Sequence, residues 1–335
     1  MKILLAAGIY PPQIGGPAQY AYFLNEELKK LGVITRVVKY GSLLKLPLFL
    51  RSPFYFLKIF VLAWRYDVIL GFDSMSVGLP AVLVGKILKK KVVLRLGGDF
   101  LWEQYVERTR QKITLSQFYL KEYPLTQKEK IIFHLTRRVL NGCDQIIFST
   151  PWLKDIFVRA YSIDTNKVSI IENAFDFSAA KGSYKKKNFI WAGRNIFLKN
   201  IDSLKNSFAR AQKIDPSIEL EILENIPHKE LLSKLETCYA VIYPSLSEVS
   251  PNFVLEALAY GKPSIVTQET GYKNFLGEVA LFVDPLNEED LTQKIILLSN
   301  TAIYQKLQER IKIFSYRHTY LDIAQEYVKL FKKIL

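Results

Sequence analysis

The sequence predicts an α/β protein made of two doubly wound parallel-sheet domains facing a cleft, and three observations carry that prediction. Short continuous apolar runs alternate with helical stretches, the pattern of strands covered on both faces of a parallel sheet. The series occurs twice, before and after the small and charged stretch Ser178–Lys187, which reads as a linker. A chain of 335 residues is also long enough for two substantial cores. The expected boundaries are a first domain over 1–177, a linker over 178–187, a second domain over 188–315 and a closing helix over 316–335.

In the first series, strands are expected at Lys2–Ala7, Ile34–Lys39, Val68–Leu70, Lys91–Leu96 and Gln145–Ser149, with helices such as Gln19–Leu31 and Ser76–Leu88 between them. Gly15 and Gly16 form a loop after the first strand, where missing side chains let the backbone approach a ligand, and Pro11-Pro12 stiffens its entry. The apolar segment Ser42–Trp64 is interrupted by Lys45, Pro47, Arg51, Pro53 and Lys58, which argues against a membrane-spanning helix. It reads either as an interfacial surface or as a helix buried on the first sheet. On the first reading its basic residues meet anionic lipid while Phe54, Tyr55, Phe56 and Trp64 enter the boundary. The run Arg95–Glu103 ends a strand and points polar groups at the cleft; Asp99 there either serves the site or caps the next helix. The second series places strands at Asn188–Ala192, Ile218–Ile222, Ala240–Tyr243, Pro263–Val266 and Ala280–Val283. The last helix carries an apolar face of Tyr320, Ile323, Ala324, Tyr327, Val328 and Phe331.

Composition excludes several classes. An apolar content of 49% with 23% charged residues marks an ordinary globular protein. Cys143 and Cys238 lack a CxxC partner, and His134, His228 and His318 are scattered, so neither a disulfide framework nor a metal site is indicated. Met1–Ala7 lacks the basic region and long apolar run of a signal and reads as the first buried strand of a cytoplasmic protein. The net charge of +14 is uneven: residues 1–150 hold 22 Lys/Arg against 10 Asp/Glu. A basic first half suggests an anionic partner, with lipid headgroups, a phosphorylated acceptor and nucleic acid as the options, or else solubility charge on helix faces.

Glu248 and Glu256 are the most informative pair. They flank a Pro/Ser-rich turn after the β-run Ala240–Tyr243, Glu248 on the loop and Glu256 about one and a half turns into an apolar helix stopped by Gly261 and Pro263. Free amides at a helix N-terminus make an anion site, so two carboxylates beside it need a reason. A phosphate flanked by sugar hydroxyls supplies one, since amides take the phosphate and carboxylates accept from the hydroxyls.

This stretch resembles the Glu-x7-Glu motif of retaining, nucleotide-sugar-dependent glycosyltransferases of the family-4 type, the group 1 glycosyltransferases. Tyr10–Pro17 after the first strand, Trp191-Ala192-Gly193-Arg194 with Lys199, Thr267–Gly271 and Ala280–Pro285 agree in order and spacing, so the resemblance covers nearly the whole chain. It implies the GT-B fold of two Rossmann-like domains, the first binding acceptor and the second the nucleotide sugar, with the last helix crossing back to the first. It implies that Arg194 and Lys199, after Gly193, clamp the donor diphosphate in place of a metal; no Asp-x-Asp triplet is present. Glu256 is the expected ribose reader and Glu248 lies nearer the transferred sugar. The amides of Ser250, Pro251, Asn252 and Phe253 are expected to hold phosphate or sugar oxygens, and Gly15 and Gly16 to cover the donor phosphates or acceptor. Two departures stand out: Val249-Ser250-Pro251-Asn252 replaces a Gly-rich turn, and Asp99 stands where many relatives carry His. Asp99 then positions sugar or acceptor, or offsets positive charge. Retention is expected by a same-face route, with Glu248 as covalent nucleophile the alternative.

The function so implied is transfer of a sugar from a nucleotide-diphosphate donor to a lipid-linked or cell-surface glycan acceptor, with no cofactor and no metal. An anionic membrane surface is a candidate partner, which would make the protein peripheral on the inner face of the membrane. A sugar-nucleotide epimerase or phosphorylase on the same fold is the enzymatic rival, opposed by the Arg194/Lys199 and Glu248/Glu256 set. A non-catalytic binding subunit would be marked by lost motif residues. A nucleic-acid binder lacks any recognised motif.

Overall fold

Six parallel strands make the first sheet of the computed structural model, which describes residues 1–13, 15–177 and 183–335. The backbone divides into two units: Met1–Leu101 with Pro124–Ala174 and His318–Leu335, and Trp102–Tyr123 with Phe175–Arg317. The expected first domain is therefore interrupted, because residues 102–123 leave the first sheet and pack in the second unit. Of the expected linker, 178–182 lie outside the described residues, Ser183–Lys186 are exposed, and Lys187 is already paired with Ile218 as strand.

In the first unit the strands are β1 (Lys2–Ala7), β2 (Ile34–Lys39), β3 (Val68–Gly71), β4 (Lys91–Leu96), β5 (Gln145–Phe148) and β6 (Val168–Ile170), in the order β2-β1-β3-β4-β5-β6. β1, β3 and β5 are almost wholly buried, as continuous apolar runs require. The edge strand β6, Val-Ser-Ile, is too short and too exposed to announce itself in the sequence. Gly16 is the first residue of the helix Gly16–Lys30 rather than part of a loop, with Gly15 as its N-cap at φ 147. The last helix spans Tyr320–Ile334 and starts later than the expected 316, because Thr319 and Asp322 form a capping box. It packs against Gly16–Lys30 in the first unit, burying Ile323, Ala324, Tyr327 and Phe331 beside Tyr20 and Leu24. The buried Arg95 guanidinium lies 3.8 Å from the Tyr20 ring centroid.

The segment around Lys45–Trp64 follows neither expectation alone. Pro47 caps a helix Leu48–Ala63, and Pro53 sits inside it instead of breaking it. Tyr55, Ile59 and Ala63 are buried, whereas Phe54, Leu57, Val61 and Trp64 are exposed. Arg51 donates to the carbonyls of Leu44 and Leu46, and Lys58 donates to Ser42 Oγ, so these two cations brace the chain before the helix. Among the described residues no helix is long and apolar enough to cross a membrane.

The second unit holds a two-residue strand β7 (Phe175–Asp176) and a parallel sheet of β8 (Lys187–Gly193), β9 (Ile218–Glu224), β10 (Ala240–Tyr243), β11 (Ser264–Thr267) and β12 (Ala280–Val283). Its order is β12-β11-β10-β8-β9, with Trp191 on β8 wholly buried in the core.

Helix packing in the first unit depends on Gly78, the first residue of the helix Gly78–Leu88, where a Cβ would stand 2.3 Å from the Asp73 carbonyl oxygen. Gly78→Ala is expected to destabilise the protein by about 1–3 kcal/mol through overpacking. The readout is a lower urea midpoint at unchanged slope; an unmoved midpoint would show that the Asp73 loop yields freely.

Candidate active site

Doubly wound sheets bind ligands where neighbouring strands send their connections to opposite sides, outside the carboxyl ends. In the second unit that point lies between β8 and β10: β8 connects on to β9 at one edge, and β10 to β11 and β12 toward the other. Arg194 and Lys199 follow β8, and Glu248 follows β10, so the strand order alone gathers them. The two exits are laced together by Leu246 N–H donating to the Leu198 carbonyl at 2.8 Å. Glu248 is held on its other side by the loop after β11, its N–H donating to Glu269 O at 2.8 Å and its carbonyl accepting from Gly271 N–H at 3.3 Å.

Lys199 Nζ donates to Glu248 Oε2 at 2.6 Å, with side chains only 12% and 17% exposed. The ammonium also sits 4.6 Å from the Tyr243 ring centroid. Burial pulls the Lys199 pKa down, but the Glu248 carboxylate and Tyr243 outweigh it and hold the pKa above the ordinary lysine value. Burial pushes the Tyr243 hydroxyl up, with Glu248 adding to the shift and Lys199 opposing it. Arg194 is exposed, and its guanidinium makes no ion pair among the described residues. Gly193 lies at φ 159, and a Cβ there would come within 3.3 Å of the Trp191 ring.

Glu256 sits on the helix Asn252–Ala259, and its Oε1 lies 2.9 Å from His228 Nε2 at the start of the helix His228–Thr237. His228 was not singled out in the sequence beyond being scattered; the Pro227-His228 pair at a helix start is the only local signal. The expected row of four amides at Ser250–Phe253 is reduced. Pro251 has no N–H and Asn252 N–H donates to the Ser250 carbonyl, so two of the four positions do not offer an amide to a ligand. The Phe253 side chain is buried, 5.5 Å from the Tyr243 ring, so that residue can meet a ligand only through its backbone.

Sequence reading missed two further contributors in this unit. Asn200, held left-handed at φ 58, donates through Nδ2 to the carbonyls of Pro244 and Pro285 at 3.1 and 2.8 Å. The segment Trp102–Tyr123 braces the same loops: Glu107 Oε1 accepts from Leu198 N–H, Ser247 Oγ accepts from Leu115 N–H, and Ser116 Oγ donates to Glu269.

Gly15, Gly16 and Asp99 lie in the first unit, Asp99 being buried. That sheet has its own reversal of direction between β1 and β3. Asp73, also missed, stands there: its Oδ1 accepts from Met75 and Val77 N–H, and Ser76 Oγ donates to Oδ2. Gly8 is required beside it, since a Cβ would approach Asp73 Oδ2 to 2.8 Å. Cys143 and Cys238 are buried, and burial pushes both thiols up to about 12, which makes them inert.

Two family descriptions match the chain: "Glycosyl transferases group 1" over residues 170–317 and "Glycosyltransferase Family 4" over residues 12–179. The O-antigen chain mannosyltransferase RfbU of Salmonella typhimurium is 25% identical over 204 residues, covering 53% of this chain and 58% of RfbU. The match thus spans little more than half of that relative. Sucrose-phosphate synthase from Thermosynechococcus elongatus superposes with a TM-score of 0.74 at 15% identity, covering 99% of this chain and 98% of that one. Anabaena Alr3699/HepE in complex with UDP-glucose gives 0.69 at 13%, covering 99% and 100%. At such identities these two likenesses show the fold alone.

Because the Lys199 pKa is raised in the folded protein, the ion pair contributes fully below the ordinary lysine value of about 10.4 and is lost as pH rises through the folded value. Lys199→Met leaves Glu248 uncompensated and is expected to destabilise by about 3 kcal/mol at neutral pH. The deficit should be flat from pH 7 to 9 and shrink only in stronger alkali; a deficit that already shrinks across neutral pH would mean that the pair does not behave as drawn.

Proposed function

Since the chain belongs to Glycosyltransferase Family 4 and has the two doubly wound units of the GT-B class, we propose that this glycosyltransferase takes its sugar from a nucleotide-diphosphate donor. Transfer proceeds with retention of configuration, without a metal, to a lipid-linked or cell-surface glycan. The observation that carries the donor assignment is the Lys199–Glu248 pair at the switch point of the second sheet, with Arg194 exposed beside it. Two cations at the carboxyl ends of parallel strands suit a diphosphate whose charge grows as the glycosidic bond breaks. In the same-face route the bond from the anomeric carbon to the phosphate oxygen breaks, the acceptor oxygen bonds to that carbon on the same side, and the departing phosphate takes the acceptor proton. Glu248 Oε2 is committed to Lys199, which favours this route over covalent attack by Glu248.

Glu256 accepts from the ribose hydroxyls, with His228 holding one of its oxygens. The UDP-glucose in complex with the Anabaena protein and the mannosyl transfer in the name of RfbU favour a nucleotide hexose as donor, and the O-antigen acceptor of RfbU favours a surface glycan. Attachment to the inner face of the cell membrane is supported by the exposed Phe54, Leu57, Val61 and Trp64 and by the excess of cations over residues 1–150.

Glu256→Ala is expected to weaken nucleotide-diphosphate binding by about 1.5–3 kcal/mol in calorimetry, the value of a charged hydrogen bond. Unchanged affinity would remove Glu256 from the ribose. Arg194→Ala should lower turnover at nearly unchanged stability, and full activity would take it out of the clamp. Turnover should also persist in EDTA. Loss that added Mg²⁺ or Mn²⁺ restores would overturn the metal-free reading.

A further inference from the structure

A cavity of about 330 Å³ opens in the first unit at the amino ends of β4 and β5, the opposite end of the sheet from Gly15 and Asp73. Lys86, Lys89, Lys90 and Lys91 line it, together with Gly142 and Asp144. Asp144 is the one acid in that lining, and each of its oxygens already accepts a hydrogen bond. Lys91 Nζ donates to its Oδ1 and Val92 N–H to its Oδ2, each at 2.9 Å. Lys90 Nζ donates to the Trp64 carbonyl at 3.3 Å, while Lys86 and Lys89 have neither a hydrogen bond from the ammonium nor an ion pair among the described residues. Gly142 leaves room for Lys86, since a Cβ there would be 3.1 Å from Lys86 Nζ. Lys89 is held left-handed at φ 52, a helix-end position that glycine fills more easily. Three cations without a carboxylate in one concavity repel one another unless an anion joins them.

We propose that this pocket binds the phosphate of an anionic phospholipid headgroup. A soluble phosphate would need only the lysines. Here the pocket adjoins an apolar rim: Val61 on the helix Leu48–Ala63 and Trp64 just after it are 70% and 64% exposed, and Leu83 and Ile87 on the helix packed against it are 46% and 60% exposed. The Lys90–Trp64 contact makes pocket and rim one surface. Cations around a phosphate and aromatic and aliphatic side chains in the acyl boundary are the two halves of an interfacial site. Lys86, Lys89 and Lys90 thereby take the headgroup role expected of Arg51 and Lys58, which are engaged within the chain. The inference rests on the membrane attachment proposed above and names the site that provides it.

The test is flotation of the full chain with phosphatidylcholine vesicles with and without phosphatidylglycerol. Wild type is expected to float only with the anionic vesicles and to be released by salt. Replacing Lys86, Lys89 and Lys90 together with Gln should weaken that binding about a hundredfold, roughly fivefold per lysine. Replacing Lys121, Lys128 and Lys130 with Gln removes the same charge outside the pocket and should change it far less. Lys89→Gly guards against misfolding, because it relieves the left-handed backbone and should bind about fivefold weaker in a protein no less stable. Wild type that never floats sinks the membrane reading itself. Wild type that floats while both triple variants lose binding equally leaves diffuse charge and overturns the pocket alone. Calorimetric binding of inorganic phosphate that depends on the three lysines, without vesicle binding, would make the ligand a soluble phosphate and overturn the lipid assignment.

Discussion

Asn200 is the constraint on which the site of the second unit depends. Its left-handed backbone costs about 1–2 kcal/mol, a penalty that Asn tolerates better than any other residue except Gly. In return its amide donates to the carbonyls of Pro244 and Pro285, the residues that follow β10 and β12, while its own N–H closes the turn on Phe197. Gly could adopt the backbone but could not reach either carbonyl. Lys199 immediately precedes this residue, so the turn that satisfies two buried carbonyls also aims the ammonium at Glu248. Packing of the three strand exits and placement of the charge are one event.

The sheet delivers these exits to one edge but does not stiffen them. That falls to Trp102–Tyr123, which leaves the first sheet between β4 and β5 and gives each loop a polar partner: Glu107 for the turn after β8, the Leu115 N–H for Ser247, and Ser116 for Glu269. Lys112 adds a bond to Ser203 at 2.6 Å. Loops this well satisfied lose little entropy when a ligand arrives, which is the physical content of preorganisation.

What the sequence discloses follows the range of the interaction. Strands β1, β4 and β10 are legible to the residue because burial on both faces leaves a nearly unbroken apolar run, whereas β6 is half-exposed and leaves none. Arg194, Lys199, Glu248 and Glu256 are legible as charged residues next to strand ends and a helix start. Asn200 and His228 are not, because their partners are backbone groups or side chains that only the fold brings near. The helix Leu48–Ala63 is ambiguous for another reason: it is apolar on both its buried and its exposed face, and periodicity cannot separate the two. The departure of 102–123 from the first domain has no local signal at all, since its buried Tyr105 and Phe118 would suit either core.

The Lys199–Glu248 pair also explains how a lysine is held buried at this switch point. A lysine this buried loses hydration that its own charge cannot recover, and without a counter-charge it would shed its proton or unfold the loop. Glu248 supplies the counter-charge from the neighbouring strand exit, and together with Tyr243 it outweighs the desolvation and holds the Lys199 pKa above the ordinary lysine value. With Lys199 paired, Arg194 is left as the exposed cation of the turn, without an ion pair among the described residues. On the proposed function, an arriving diphosphate meets Lys199 already paired with Glu248 rather than as a bare ammonium.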